Sequence, residues 1–184
     1  MKTITLHNKA FEVFISETEI LAIVHSMANQ INNSGVQSPL FIAVMNGSFL
    51  FAADVMRKIT IPNSEISFIK LSSYSGTETT GKANELIGIS EDISGRNIIV
   101  LEDIIDTGIT LEKIMFLLEK ENVADIKVAT LLFKPDAYTK DIHIDFIGKS
   151  IENKFVVGYG LDYDEIGRNL PHIYKLKNLT ENQC

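Results

Sequence analysis

Ile98-Ile99-Val100-Leu101-Glu102-Asp103-Ile104-Ile105-Asp106-Thr107-Gly108-Ile109-Thr110 decides the fold of this 184-residue chain. Four consecutive apolar residues, Ile98 to Leu101, make a strand buried on both faces. Two adjacent carboxylates, Glu102 and Asp103, stand at its carboxyl end. A third, Asp106, begins a tight Thr-Gly turn that opens a helix. Three uncompensated acids repel one another and resist desolvation. A divalent cation, ribose hydroxyls or a proton to be received would offset them. The Thr107–Thr110 backbone turns its N–H groups outward at a helix start, where Gly108 permits close approach and the threonine hydroxyls add donors, so it is an anion site. Asp-Thr-Gly alone would merely cap a helix. In a strand–turn–helix setting, acids suited to a diol and a metal beside a phosphate cradle describe a site for a sugar phosphate.

The surrounding pattern is βαβ. Leu40–Met45 is a continuous apolar run, Asn46-Gly47-Ser48 a turn, and Phe49–Ile59 reads as a helix. Strands follow at about Glu65–Leu71 and Ile126–Phe133, with a helix at about Thr110–Lys120 between the Ile98–Leu101 strand and the last. This alternation predicts an α/β fold with a mostly parallel twisted sheet flanked by helices, whose ligands bind beyond the carboxyl ends of the strands. Upstream, Ile4, Leu6, Phe11, Val13 and Ile15 alternate as half-buried strands do. Ser16 with Glu19 reads as a capping box, and Ile20, Ile23, Val24, Met27 and Ile31 fall at helical spacing until Gly35. The most polar stretch, Ser72–Glu85, follows a sheet strand and is long for a connection, as lids are. No repeat, linker or low-complexity tract divides residues 1–184, which are expected to form one domain.

Composition narrows the function. Seventeen Lys and Arg against 24 Asp and Glu leave a formal charge of −7, with 45% hydrophobic and 22% charged residues. A chain of this size buries roughly 70% of its unfolded surface. The acidic balance argues against a nucleic-acid partner. The absence of a long apolar run argues against a membrane span. A single cysteine, Cys184, excludes a disulfide framework and fits a cytoplasmic setting, as does a start without a signal-peptide pattern. The phosphate loop Gly-x-x-x-x-Gly-Lys-Ser/Thr and the dinucleotide motif Gly-x-Gly-x-x-Gly are both absent.

The Glu102–Thr110 segment resembles the phosphoribosyl-pyrophosphate signature of the type I phosphoribosyltransferases, and nearly the whole chain is similar to their hypoxanthine-guanine branch. The further landmarks are Asn46-Gly47-Ser48-Phe49, Ser73-Tyr74, Leu132-Phe133-Lys134-Pro135, Phe146-Ile147-Gly148, Phe155-Val156-Val157-Gly158-Tyr159-Gly160-Leu161-Asp162-Tyr163 and Arg168. The resemblance implies the type I fold, with a core at about residues 37–135 and a small hood built from the N- and C-terminal segments. It implies transfer of phosphoribose from phosphoribosyl pyrophosphate to a 6-oxopurine, with inversion, through a transition state like an oxocarbenium ion.

Roles follow from the same resemblance. Glu102 and Asp103 bind the ribose hydroxyls directly or through Mg2+, with Asp162 as a further metal ligand. Asp106 is the general base toward the purine imidazole nitrogen. Asp106, Thr107, Gly108, Ile109 and Thr110 hold the 5′-phosphate. Lys134 faces the purine 6-position and disfavours the amino group of adenine, a buried mismatch costing on the order of 1–3 kcal/mol. Phe155 stacks on the purine, Val156 reads its edge through the main chain, and Ile104 and Asp162 complete the base site. Asn46, Gly47 and Arg168 bind pyrophosphate, and Ser73 and Tyr74 lie on the lid. Many relatives carry Lys or Arg where this chain has Asn46, and many have a cis peptide at the step corresponding to Met45–Asn46. His7, His25, His143 and His172 have no ligand spacing and read as structural or surface residues. The implied partners are small molecules and a second copy in a homodimer or homotetramer, with the apolar helix from Phe49 as an available face. Two other functions share the signature: a regulatory nucleotide sensor that binds nucleic acid, and a transferase for xanthine or another base.

Overall fold

The computed structural model describes residues 3–71, 85–89 and 91–177. Two sheets carry the fold. In the larger, strands β3 (Leu40–Val44), β4 (Glu65–Leu71), β5 (Glu85–Ile87), β6 (Asn97–Ile105), β7 (Asp125–Phe133) and β8 (Phe146–Ser150) lie in the order β5-β4-β3-β6-β7-β8. All neighbours pair in parallel except β4 with β5. Strands β1 (Thr3–Leu6), β2 (Lys9–Ile15), β9 (Val156–Val157) and β10 (Ile173–Leu176) make an antiparallel sheet in the order β1-β2-β10-β9. The chain's first and last described strands thus build one hood over the parallel sheet.

Helices α1 (Glu17–Asn32) and α2 (Phe49–Met56) cover one face, and α3 (Ile109–Glu119) the other. Strand alternation feeds both cores. Phe41 and Ala43 of β3 and Ile99 and Leu101 of β6 pack with Ile20, Val24, Met27 and Phe51. Leu40, Ile42, Val44, Ile98 and Val100 pack with Ile114 and Leu118. This two-sided burial is why those strands read as unbroken apolar runs. Ile15, Val156, Tyr159, Leu161 and Ile173 join the first of these cores, so the hood and the parallel sheet share one interior. A smaller cluster of Phe11, Val157 and Tyr174 lies within the hood.

Several boundaries differ from the sequence expectation. Strand β6 runs to Ile105, so Glu102 and Asp103 lie inside it. Ile104 and Ile105 continue its apolar pattern, and β7 stays paired alongside as far as Ile105↔Phe133. Helix α2 ends at Met56, short of Ile59. The N–H groups of Lys58 and Ile59 bond three residues back, to Val55 and Met56, and tighten the chain out of the helix. Only half of the capping box forms: Ser16 Oγ accepts from Glu19 N–H at 3.2 Å, while the Glu19 carboxylate turns to Lys149 Nζ at 2.8 Å. His172 adds a second cap, its Nδ1 accepting from Glu17 N–H at 2.9 Å.

The direction in which strands are added to the sheet reverses between β3 and β6. From β3 the chain steps outward to β4, and from β6 it steps the other way through β7 to β8. The carboxyl ends of β3 and β6 therefore flank the crevice that forms at such a switch point.

Candidate functional site

The crevice is lined by Val44, Met45, Gly47, Leu71, Glu102, Asp103, Ile104 and Thr110, and encloses about 290 Å³. Glu102 also lines a smaller adjoining cavity formed by Ile104 to Leu111, the turn before α3. One strand thus feeds both compartments.

Register explains how the acids come to line it. The pairing of β3 with β6 extends only to Ala43↔Leu101, so residues 102–105 of β6 project beyond that pairing with β7 on their other side. Glu102 is 5% exposed. Burial, and then the charge of Asp103, push its carboxyl well above the ordinary value. Burial also drives Asp103 up, to about 6, against the lowering effects of backbone N–H donors and of Arg168. Ile104 N–H donates to Asp103 Oδ1 at 2.9 Å. Across the crevice, a methyl group built on Gly47 would overlap the Asp103 carboxylate, so only glycine lets the two strand ends approach this closely. The Met45–Asn46 peptide bond beside it is cis, as the resemblance anticipated.

The phosphate-type loop is local. Gly108 has φ +84° and caps α3 without any side-chain cap. That leaves the first-turn N–H groups of α3 to an outside acceptor. Thr107 Oγ1 lies 3.5 Å from Ile109 N. Tyr138 and Lys140 press on Gly108 from the loop after β7. Neither was anticipated from the sequence, although both follow a sheet strand on the ligand side, as Lys134 does.

Parallel pairing sets the next contact. Because Ile105 faces Phe133, the residues that follow, Asp106 and Lys134, emerge side by side, and Lys134 N–H bonds Ile105 O at 3.0 Å. Lys134 Nζ lies 2.8 Å from Asp106 Oδ2 and 3.4 Å from Asn153 Oδ1. Lys134 is 7% exposed, whereas 44% of the Asp106 side chain meets solvent. Lys149 and Ser150 belong to β8, Ile151 is buried, and Asn153 reaches Lys134. No sequence signal marked Asn153.

The hood supplies the rest. Phe155 is 45% exposed, its ring backed by Tyr163 (5.7 Å, edge-on) and Phe11 (6.3 Å). Val156 is buried on β9, the outer strand of the hood sheet, which among the described residues pairs only with β10. One main-chain edge of β9 is thereby left for a ligand. Ile104 is half-buried against the main core. Asp162 pairs with Arg168 Nη2 at 2.8 Å and accepts from Glu165 N–H at 2.9 Å. Arg168 also donates to Gly160 O at 2.9 Å. A methyl group built on Gly160 would overlap the carbonyl oxygen of Gly47. The site thus brings Gly160, Gly47 and Asp103 together in one packed line, with Arg168 at its hood end. Ser73 and Tyr74 lie outside the described residues.

Among the described residues, no three His, Cys, Asp or Glu side chains converge as a metal site, so Asp162 does not join Glu102 and Asp103 in a three-carboxylate cluster. The adjacent pair still suits a hard divalent ion. A buried and a half-buried carboxylate with raised proton affinity on one crevice wall are an oxygen-donor set short of positive charge. No helix among the described residues is long and apolar enough to cross a membrane.

Comparison with known proteins agrees in sequence and in shape. The family described as phosphoribosyl transferase domain matches residues 16–164. A hypoxanthine-guanine phosphoribosyltransferase of Staphylococcus aureus is 37% identical over 174 residues, 94% of this chain and 97% of the relative. The crystal structure of a hypoxanthine phosphoribosyltransferase from Staphylococcus aureus superposes with a TM-score of 0.82 at 36% identity, covering 90% of this chain and 91% of that one. A hypoxanthine-guanine phosphoribosyltransferase from Bacillus anthracis, solved with a HEPES molecule in its active site, gives a TM-score of 0.81 at 40% identity, covering 90% and 96%.

Proposed function

The chain belongs to the phosphoribosyl transferase domain family, and on that premise we propose how its crevice moves phosphoribose from phosphoribosyl pyrophosphate to hypoxanthine or guanine. It is a pentosyltransferase of purine salvage. The observation that carries the residue assignment is the Lys134–Asp106 pair, 2.8 Å apart at the ends of adjacent parallel strands. A 6-oxopurine presents its carbonyl oxygen and N7 on one edge. Lys134 has three donors, so it can reach the 6-oxygen while still bonding Asp106. Asp106, exposed on its other side, receives the proton from N7 as N9 attacks the anomeric carbon and the bond to pyrophosphate breaks. Adenine would set a donor against the lysine and leave the buried cation unmatched.

The other roles follow the local chemistry. Backbone donors and hydroxyls of Asp106–Thr110 hold the 5′-phosphate. Asn46 and Gly47 offer backbone donors to pyrophosphate, with Arg168 supplying the cation that Asn46 lacks. Phe155 stacks on the base, the free edge of β9 at Val156 reads its far side, and Ile104 and Asp162 close the pocket. Ser73 and Tyr74 keep the lid role on sequence grounds. Glu102 and Asp103 are the residues that would hold magnesium, and when bound it offsets their charge and that of the departing pyrophosphate. Transition-state charge is met by fixed groups on all sides of the anomeric carbon.

We further propose one domain over residues 1–184, with a core at about 37–135 and the hood over it. The shared interior of the two sheets supports this. Self-association through the α2 side is supported by Phe49, Ile66 and Phe68, apolar side chains that remain exposed there and on β4. A cytoplasmic setting is supported by a single cysteine in 184 residues. The regulatory and xanthine alternatives are not favoured, since the relatives named above are hypoxanthine and hypoxanthine-guanine enzymes over nearly their whole length. The test is an initial-rate panel of hypoxanthine, guanine, xanthine and adenine, each with phosphoribosyl pyrophosphate and magnesium. Turnover of the first two with little or none of adenine is expected. Equal use of adenine would remove Lys134 from its role.

A further inference from the structure

Beside the pyrophosphate loop, one part-buried polar contact ties hood to core and has no part in the chemistry above. Tyr159 Oη donates to Asp54 Oδ2 at 2.6 Å. Asp54 is the only charged residue of the apolar helix α2, Phe-Leu-Phe-Ala-Ala-Asp-Val-Met, which begins directly after the Asn46–Ser48 turn. Tyr159 is buried in the main core. Its backbone is left-handed, at φ +49°, between Gly158 and Gly160, each at φ +99°. A tyrosine holds such a conformation only where its surroundings fix it. Its N–H bonds Leu170 O at 2.8 Å, and Gly160 N–H bonds Arg168 O at 2.9 Å. The residue after Tyr159 is the one that rests on the Gly47 carbonyl and accepts from the Arg168 guanidinium.

We propose that the Tyr159–Asp54 hydrogen bond is a positioning device for pyrophosphate recognition. It pins the left-handed turn to α2, so that Gly160 holds the Gly47 loop and Arg168 in one fixed arrangement. The proposal rests on the assignment of Asn46, Gly47 and Arg168 to pyrophosphate. Tyr159 acts through Gly160 and touches no reacting atom, so it is a positioning residue. Burial and the neighbouring Asp54 carboxylate both push the Tyr159 hydroxyl upward, which keeps it a donor throughout the working range.

The test compares Tyr159→Phe, Asp54→Ala and Asp54→Asn, the last retaining an oxygen that can accept from the phenol. Tyr159→Phe and Asp54→Ala are each expected to raise KM for phosphoribosyl pyrophosphate, and for pyrophosphate in the reverse direction, on the order of 10-fold. KM for hypoxanthine and kcat should move less than about twofold, and Asp54→Asn should recover most of the loss. A fall in unfolding temperature with all constants unchanged, or an equal rise in both substrates' KM, would overturn the proposal. Calorimetric titration of phosphoribosyl pyrophosphate with magnesium into the wild type and Tyr159→Phe separates the two levels. A wild type that binds none sinks the site assignment itself. A wild type that binds, matched by the variant, sinks the positioning role alone.

Discussion

The two anion sites proposed here, in adjoining compartments at the same sheet edge, are built by opposite means. The loop at Asp106–Thr110 is a run of neighbours: a strand end, a left-handed glycine and a helix start, with no cation in its own sequence. The proposed pyrophosphate side is assembled from two distant pieces, Asn46-Gly47 and Gly160 with Arg168, packed glycine against glycine beside Asp103. A local site needs only correct backbone angles and tolerates change elsewhere. An assembled site depends on every element that holds its pieces in place. The first should therefore fail only through its own residues, and the second through remote ones as well.

The largest effect expected falls on the first residue of the local site, through its carboxylate rather than its backbone. Asp106→Asn keeps the shape and removes the proton acceptor, so turnover should drop by about 10²–10⁴-fold. Binding of phosphoribosyl pyrophosphate, measured by calorimetry, should persist. A variant turning over at nearly the wild-type rate would remove Asp106 from the general-base role.

The next pair sets the two sites directly against each other. Gly160→Ala places a methyl group on the Gly47 carbonyl at a position of φ +99°. It should raise KM for phosphoribosyl pyrophosphate by about 10²-fold, the scale of an ångström misplacement, and lower the unfolding temperature. Gly108→Ala, at φ +84° and against Tyr138 and Lys140, should weaken nucleotide monophosphate binding while leaving inhibition by free pyrophosphate unchanged. If both variants lose pyrophosphate equally, the contrast between local and assembled sites fails.

The smallest effect concerns the acids that join the compartments. Asp103 has its proton affinity raised in the folded state, to about 6, and Glu102 is raised as well. A raised folded-state value means that the stability these groups contribute is complete below the unfolded carboxylate range and is lost as pH rises, for Asp103 through about 6. The metal-free protein should therefore unfold at a lower temperature at pH 8 than at pH 5, as far as these groups are concerned. Asp103→Asn should flatten that decline, by roughly 2–4 °C for each kcal/mol recovered in a chain of this size. Scanning calorimetry across pH, with and without magnesium, reads this. A steeper decline in the variant would contradict the assigned direction.

What the sequence made legible follows the same division. The β6–turn–α3 unit could be read because its pattern is contiguous: apolar run, acids, Asp-Thr-Gly, then helical spacing. Even there the strand end was misplaced. Charged residues ordinarily mark a strand's exit, whereas here Glu102 is carried inside by pairing with Thr130 of β7. The Asp106–Lys134 contact depends on register between strands, which no linear pattern states. Arg168 was legible as a cation suited to phosphate, but its pairing with Asp162 was not, because a left-handed turn brings them together. Tyr159 and Asp54 did leave traces, a Gly-Tyr-Gly triplet and a lone acid in an apolar helix. Neither points to the other without the fold.

The hood sheet imposes an order on the birth of the active molecule. Ile15 of β2 pairs with Ile173 of β10, so during synthesis the first strands wait for nearly the whole chain. At 5–20 residues per second that delay is roughly 8–30 s. The parallel strands 40–150 are complete well before it ends. A ribosome-bound chain can thus form the phosphate loop early, while Phe155 gains its backing from Phe11 only when the two ends of the described chain meet. The proposed purine platform and the Arg168 side of the crevice are therefore completed only after the phosphate loop.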